Sequence, residues 1–332
     1  MDPSLSMIYP STSPSFKSLD IMVSIIIVNW NTCNILRDCL FSVQQQTTAH
    51  HEIIVVDNAS SDGSVAMVRA EFSNVVLIEN KSNRGFAAAN NQGLEISKGQ
   101  NVLLLNPDTI VLDGAIDTML IWLSKHPDVG CVGCQVLEAP ETIQRTSFAD
   151  PTPLNQAIVE LGLMRLAGWI PFFCRPWYTR WDRRSQRDVD VVSGMFMLVP
   201  RRVLDKVGRM DEAFFIYAEE ADWCRRIRNA GWRCVFAPEA QIVHLDGGSK
   251  STAQIRSRMY VQMQKSNLIY AHKHSGWLGY MTVKALFIGA AILRLMVFGA
   301  LQTIRPSEDS RARVRLSFVA LQYHFSGQEP SS

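Results

Sequence analysis

Four apolar runs recur in the first third of the chain, and each stops at polar residues. Residues 22–30 (MVSIIIVNW), 52–60 (EIIVVDNAS), 75–80 (VVLIEN) and 101–106 (NVLLLN) carry Val, Ile and Leu without alternation, the pattern of strands covered on both faces. Between them the spacing becomes helical. Ile35, Leu36, Cys39, Leu40 and Val43 repeat behind Thr32, which predicts a helix capped by that threonine. Two further helices are predicted over Ser64 to Phe72 and Phe86 to Ser97. Strand, helix, strand, helix at this spacing predicts an α/β fold built on right-handed crossovers: a mostly parallel, Rossmann-like central sheet with helices on both faces.

In such sheets ligands bind beyond the carboxyl ends of the strands. That edge here collects Asn29-Trp30-Asn31, Asp57-Asn58, Asn80 to Arg84 and Asn106-Pro107-Asp108. One such exit is an ordinary Asx turn or helix cap; four in succession, with Trp30 and Arg84 among them, predict a ligand site. No GxGxxG follows the first strand and no GxxxxGK[ST] occurs, which argues against a dinucleotide-binding oxidoreductase or a P-loop enzyme. Pro107 cannot donate to a strand ladder and ends the strand. It presents Asp108, a hard oxygen ligand suited to Mg²⁺ or Mn²⁺ holding a diphosphate.

The second half is less regular. Residues 150–188 hold many Trp, Arg and Pro and read as an excursion flanking the site, with Trp177, Trp181 and their arginines available either to an acceptor or to irregular packing. VSGMFMLVP (192–200) predicts a strand with Ser193-Gly194 at its start, ended by Pro200, which opens the next helix. YAEEADWCRRIRNAG (217–231) predicts a helix stopped by Gly231, with Glu219, Glu220 and Asp222 in its first turn, where carboxylates complement the helix dipole.

Residues 277–301 (WLGYMTVKALFIGAAILRLMVFGAL) are long enough to span a bilayer but are interrupted by Lys284 and Arg294. On a helical wheel Lys284, Arg294, Gln302 and Arg305 share one face, and Arg311, Arg313 and Arg315 follow. The stripe predicts a helix lying in a membrane interface, against the alternatives of packing on the main domain or a homodimer contact. Residues 1–21, rich in Ser and Pro, read as a flexible leader.

Composition narrows the partners. Of 332 residues 47% are hydrophobic, enough for a large core, and a formal charge of +2 gives no reason to expect nucleic acid. Seven scattered cysteines and no signal-peptide pattern lead to the expectation of a reducing, cytoplasmic setting; Cys131 and Cys134, a lone CxxC, read as buried thiols.

VSIIIVNWNT, IIVVDNASSDGS, NRGFAAANNQG, LLLNPDT, SGMFMLVPR, MDEAFFIYAEEADWCRRIRNAGW and VHLDGGS together resemble the inverting family-2 glycosyltransferases of the GT-A fold, in their rhamnosyltransferase-like branch, over residues 22–275. The resemblance implies a nucleotide-sugar half at 22–125 and an acceptor half at 126–275, followed by an apolar, basic helical segment at 276–332. It implies that Val28, Trp30, Asn31 and Asp57 surround the nucleoside, with Arg84 near the base or diphosphate and Asn106 at the donor. Ser193, Gly194 and Asp222 then fall to the acceptor or sugar. The family's Asp-x-Asp metal motif corresponds to Asn106-Pro107-Asp108, so its first aspartate is absent here; Asp108 and His244 become the metal ligands for Mg²⁺ or Mn²⁺. The catalytic pair is Glu219-Glu220, the second as general base where many relatives carry Asp, and which of the two faces the acceptor stays open.

The expected reaction is inverting transfer of rhamnose or a related deoxyhexose from a dTDP- or UDP-sugar to a surface-glycan or lipid-linked hydroxyl, at the cytoplasmic face of a membrane. A different hexosyl donor is the nearest alternative. An inactive nucleotide-sugar-binding or assembly protein is another, because Asn106 breaks the metal motif.

Overall fold

A computed structural model describes residues 23–139, 142–245 and 256–329; the predicted leader lies outside them. The four apolar runs form β1 (Val23–Asn29), β2 (His51–Asp57), β3 (Val76–Glu79) and β4 (Asn101–Leu105). They are joined through α1 (Cys33–Gln46), α2 (Ser64–Glu71) and α3 (Phe86–Ile96), and all pair in parallel. Every residue of β1 is buried, as its unbroken apolar run requires. Thr32 stands at the start of α1 but does not cap it. Its hydroxyl donates to Asn29 Oδ1 at 2.5 Å, and Asp62 from the next loop accepts from the Cys33 N–H at 2.7 Å instead. A carboxylate there serves the helix dipole better than a hydroxyl.

The chain continues through β5 (Thr109–Val111), α4 (Ala115–Ser124), β6 (Val129–Ala139), β7 (Thr142–Ile143) and β8 (Ser147–Phe148). Then come α5 (Pro153–Glu160), α6 (Leu163–Leu166), β9 (Arg187–Asp188), β10 (Val191–Val192), β11 (Phe196–Pro200) and α7 (Arg201–Val207). Next are α8 (Glu219–Asn229), β12 (Arg233–His244), α9 (Arg256–Ile304) and α10 (Glu308–Ser326).

The main sheet runs β3-β2-β1-β4-β11-β6-β12-β5, with β7 on β6 and β9 on β12; β8 and β10 form a separate ribbon. β11 is antiparallel to β4 and β6, β12 is parallel to β6, and β5 is antiparallel to β12. Six of the eight strands on this path therefore point the same way. The sheet is mostly parallel, as its apolar runs predict, with two reversed strands inserted.

Apolar cores lie on both sheet faces. Leu36, Leu40, Ile116 and Met119 pack on one side, and Leu94, Val203, Trp223 and Ile227 on the other. The strand read over 192–200 is interrupted. Ser193 N–H bonds to Thr146 O (3.0 Å), turning the chain toward the ribbon, and the strand resumes at Phe196.

The excursion at 150–188 is more ordered than its composition suggests. Thr152 caps α5, with Pro153 in its first turn. Buried Arg183 donates to the carbonyls of Trp177 (2.8 Å) and Trp181 (3.0 Å), so part of this Trp and Arg content holds the loop together. α9 is kinked at Gly276, whose φ of 64° is unfavourable for any residue with a side chain.

Candidate active site

Strand direction assembles the site. β1, β2, β3, β4 and β12 all point toward one edge, and the reversed β5 and β11 begin there. His244, the last residue of β12, thereby arrives opposite Thr109, the first residue of β5. Its imidazole Nε2 lies 3.1 Å from Asp108 Oδ2, and Leu245 N–H donates to Asp108 O at 2.8 Å. Asn106 N–H donates to Met195 O (3.2 Å), which brings the Ser193–Met195 turn to the same place.

The first three exits are tied together by Asx chemistry. Asp57 is buried, accepting from Asn29 Nδ2 (2.8 Å) and from Ser60 N–H (2.8 Å). Asn31, with φ at 55°, accepts from Ser61 N–H at 2.8 Å, so its side chain braces this edge. Val28 is buried beneath, while Trp30 is 38% exposed and offers an apolar face to a flat ligand. Asn58 Oδ1 accepts from Asn80 Nδ2 (2.9 Å) and stands 3.4 Å from Arg84 N, leaving the half-exposed Arg84 guanidinium 3.9 Å from Glu212.

The next residue couples the two halves of the chain. Gly85 has φ at 86° and packs so closely on the loop before α8 that an added Cβ would collide with Phe215 O. Phe86 N–H donates to that oxygen at 2.6 Å. Gly194 is also explained by Phe86, whose ring would lie 3.1 Å from an added Cβ. Asn91 of α3 completes the joint, donating to Met210 O (2.9 Å) and accepting from Met210 N–H (3.0 Å). Sequence reading had not singled out Asn91; its signal is a polar residue on the buried face of an apolar helix.

Glu219 and Glu220 open α8 after Tyr217 and Ala218, both with left-handed φ (71° and 66°). Glu219 is buried and Glu220 keeps partial exposure. Burial and the neighbouring Glu220 charge raise the Glu219 carboxyl well above the usual carboxylate range. Burial likewise pushes Glu220 up, to about 7, with buried Cys224 of the same helix adding to the effect. Two adjacent carboxyls in a poorly solvated turn cannot both ionise cheaply. Both are pushed toward the protonated form, Glu219 as the buried member and Glu220 as the more exposed one.

Asp222, assigned from the sequence to the acceptor or sugar, is fully buried and faces the protein instead. It accepts from Arg226 Nε (2.9 Å), His274 Nε2 (2.8 Å) and Lys273 Nζ (2.8 Å), so its oxygens are occupied.

The Asp108 and His244 donors fit a hard divalent ion. A carboxylate oxygen and an imidazole nitrogen converge, both nearly buried, at the carboxyl edge of the sheet. Among the described residues no group of three His, Cys, Asp or Glu side chains could hold an ion. The remaining positions would fall to donor oxygens and water, as Mg²⁺ and Mn²⁺ commonly accept. Asp246 of the VHLDGGS motif lies outside the described residues.

The chain is similar to known proteins along most of its length. It is 27% identical over 273 residues to an N-acetylglucosaminyl-diphospho-decaprenol L-rhamnosyltransferase of Mycobacterium tuberculosis, covering 77% of this chain and 86% of that one. It is 22% identical over 294 residues to a low-salt glycan biosynthesis hexosyltransferase of Haloferax volcanii, covering 86% and 88%. In fold it resembles a mannosyltransferase of Pyrobaculum calidifontis solved with GDP-Man and Mn²⁺, with a TM-score of 0.53, 17% identity and coverage of 98% and 93%. That likeness identifies the architecture as GT-A. The family model for glycosyl transferase family 2 matches residues 24–208, more than half of the sequence, and the chain belongs to that family.

Proposed function

We propose that this glycosyltransferase moves a deoxyhexose, rhamnose before any other, from a dTDP- or UDP-sugar to a hydroxyl of a lipid-linked or surface glycan, with inversion at the anomeric carbon. The observation that carries the chemistry is the adjacent carboxyl pair at the start of α8, both raised above the usual carboxylate range by burial, with Glu220 the more exposed. An inverting transfer needs one base beside the acceptor hydroxyl and no covalent intermediate, and Glu220 suits that role. Trp30 offers the nucleoside its apolar face, Asp57 hydrogen-bond acceptors and Arg84 a cation for the base or diphosphate. Asp108 and His244 would hold Mg²⁺ or Mn²⁺, which supplies positive charge to the departing diphosphate. Ser193 stands at the turn that meets Asn106, where a sugar would lie. The substrate class is supported by the mycobacterial relative, an L-rhamnosyltransferase named for N-acetylglucosaminyl-diphospho-decaprenol, a lipid-linked diphospho-sugar.

A membrane-surface site of action is supported by α9, which is long and apolar enough to cross a bilayer and is mostly unburied along its most apolar stretch. Its exposed residues include Leu278 (80%), Met296 (61%) and Ile304 (80%).

The test is transfer to a lipid-linked N-acetylglucosaminyl diphosphate from a panel of nucleotide sugars, with Mn²⁺, Mg²⁺ or chelator, and with the product anomer read by NMR. Transfer from dTDP-rhamnose, lost on chelation, is expected. Transfer from a different sugar alone would replace the donor assignment, and metal-dependent donor binding without any transfer would favour the inactive, assembly reading.

A further inference from the structure

The first half of α9 is built into the catalytic turn. Lys273 Nζ reaches Asp211 (2.5 Å) and Asp222 (2.8 Å), His274 Nε2 donates to Asp222 (2.8 Å), and Ser266 Oγ donates to Ile216 O (2.8 Å). These bonds grip both ends of the 211–218 loop, whose last residues, Tyr217 and Ala218, hold the left-handed backbone from which Glu219 and Glu220 emerge. Left-handed backbone at non-glycine residues persists only where the surroundings impose it. Burial alone would push the Asp222 carboxyl up, but its bonds to His274 and Lys273 and the Arg226 charge outweigh this and hold it at about 2. Asp222 is therefore ionised at any working pH. Gly276, the kink in α9, follows His274 by two residues, so the clamp ends where the exposed apolar half of the helix begins.

We propose that Lys273 and His274 are positioning residues for the general base, acting through Asp222 on the first turn of α8. The inference rests on the reading of Glu220 as that base. An ordinary packing contact would affect only the folded fraction, whereas a positioning contact sets where the Glu220 carboxylate sits and how dry it is. Glu219 and Cys224 of the same helix and Tyr217 of the preceding turn are the titratable groups around it. Loosening the turn hydrates the carboxylate and returns its pKa toward the ordinary range near 4.3.

The experiment compares wild type, Lys273→Met/His274→Leu, His274→Gln and Glu220→Gln for thermal stability, kcat against pH, and nucleoside-diphosphate binding by calorimetry. In the folded double variant kcat should fall by about tenfold to a hundredfold, its acidic limb should move to lower pH, and nucleoside-diphosphate affinity should stay within about twofold, since the clamp touches no donor residue. His274→Gln keeps an N–H donor and should recover most of the activity. If the double variant does not fold, Lys273→Met, which leaves His274 and Arg226 on Asp222, serves for the same comparison. Unchanged kcat in a folded variant, or a fall that tracks the unfolded fraction with an unmoved acidic limb, overturns the proposal. Full activity in Glu220→Gln removes the base assignment and the proposal with it; an inactive Glu220→Gln beside a fully active clamp variant removes the clamp alone.

Discussion

At the scale of single residues the chemistry turns on two neighbouring carboxyls kept unequal by their surroundings. Glu220→Gln preserves shape and removes basicity, so turnover should fall by roughly two to four orders of magnitude while donor binding survives. In the wild type, activity should be lost as pH falls through about 7, where Glu220 takes up its proton. Stability should respond in the opposite sense. A carboxyl raised in the folded state contributes stability that is complete below its unfolded pKa, near 4.3, and is lost as pH rises through about 7. Glu220→Gln should therefore melt above wild type at pH 8 and approach it as pH drops; a thermal melt at pH 8 and at pH 5 measures both arms.

Motif spelling and strand-exit logic make Asp108, Trp30, Asp57 and the Glu219-Glu220 pair readable from sequence, because short-range chemistry fixes their places. The partners of Asp222 are not readable that way. His274 is 52 residues downstream, and no local pattern announces a contact made by helix packing.

At the scale of elements, the Asn83–Phe86 loop before α3 is packed tightly against Phe215 in the loop before α8. Gly85 there combines φ of 86° with ψ of 174°, a region open essentially to glycine alone, with a backbone oxygen where a side chain would start. Gly85→Ala should cost at least about 1–3 kcal/mol from backbone strain. It should also push the 211–218 loop away from the donor loop, lowering kcat along with the melting temperature. Wild-type stability in Gly85→Ala would mean that the joint yields without cost.

The first four strands and their helices can be read off the apolar periods because each element follows its neighbour in sequence and space. β5 and β11 cannot. Their reversed pairing depends on which strands flank them, and an apolar run such as FMLVP carries no direction. The interruption at Ser193–Met195 is hidden for a related reason: the Ser193 N–H is taken by Thr146 O and Gly194 packs under the ring of Phe86, contacts that no local pattern announces.

At the scale of the whole molecule, the C-terminal helices α9 and α10 expose a long apolar surface beside the GT-A domain. Part of the polar stripe that an interfacial helix would leave to headgroups and water is taken up by the protein itself. Arg294 donates to the Glu160 carboxylate (2.7 Å) and to Tyr260 Oη (2.9 Å), and Gln302 accepts from the Ser307 N–H (3.3 Å) at the cap of α10. Polar residues on this helix therefore serve the contacts with α5 and α10, and apolar ones face outward. Leu278, Leu293, Met296 and Ile304 are 80, 47, 61 and 80% exposed, with Trp277 at 66% beside the kink. Exposed apolar area on this scale marks a binding surface. An outward apolar face flanked by exposed Arg305, Arg311 and Arg315 suits the boundary of an anionic bilayer, with the tryptophan at headgroup depth. With the apolar face outward, Leu293→Glu/Met296→Glu should abolish co-flotation of the full-length protein with anionic vesicles at low salt while leaving its melting temperature within a few degrees. Arg294→Ala should leave flotation intact and lower the melting temperature, because Glu160 would be left without its charge partner. The reverse pair of results would return the stripe to the membrane, and failure of the wild type to float with any vesicle would assign the apolar face to a second copy of the chain or another protein.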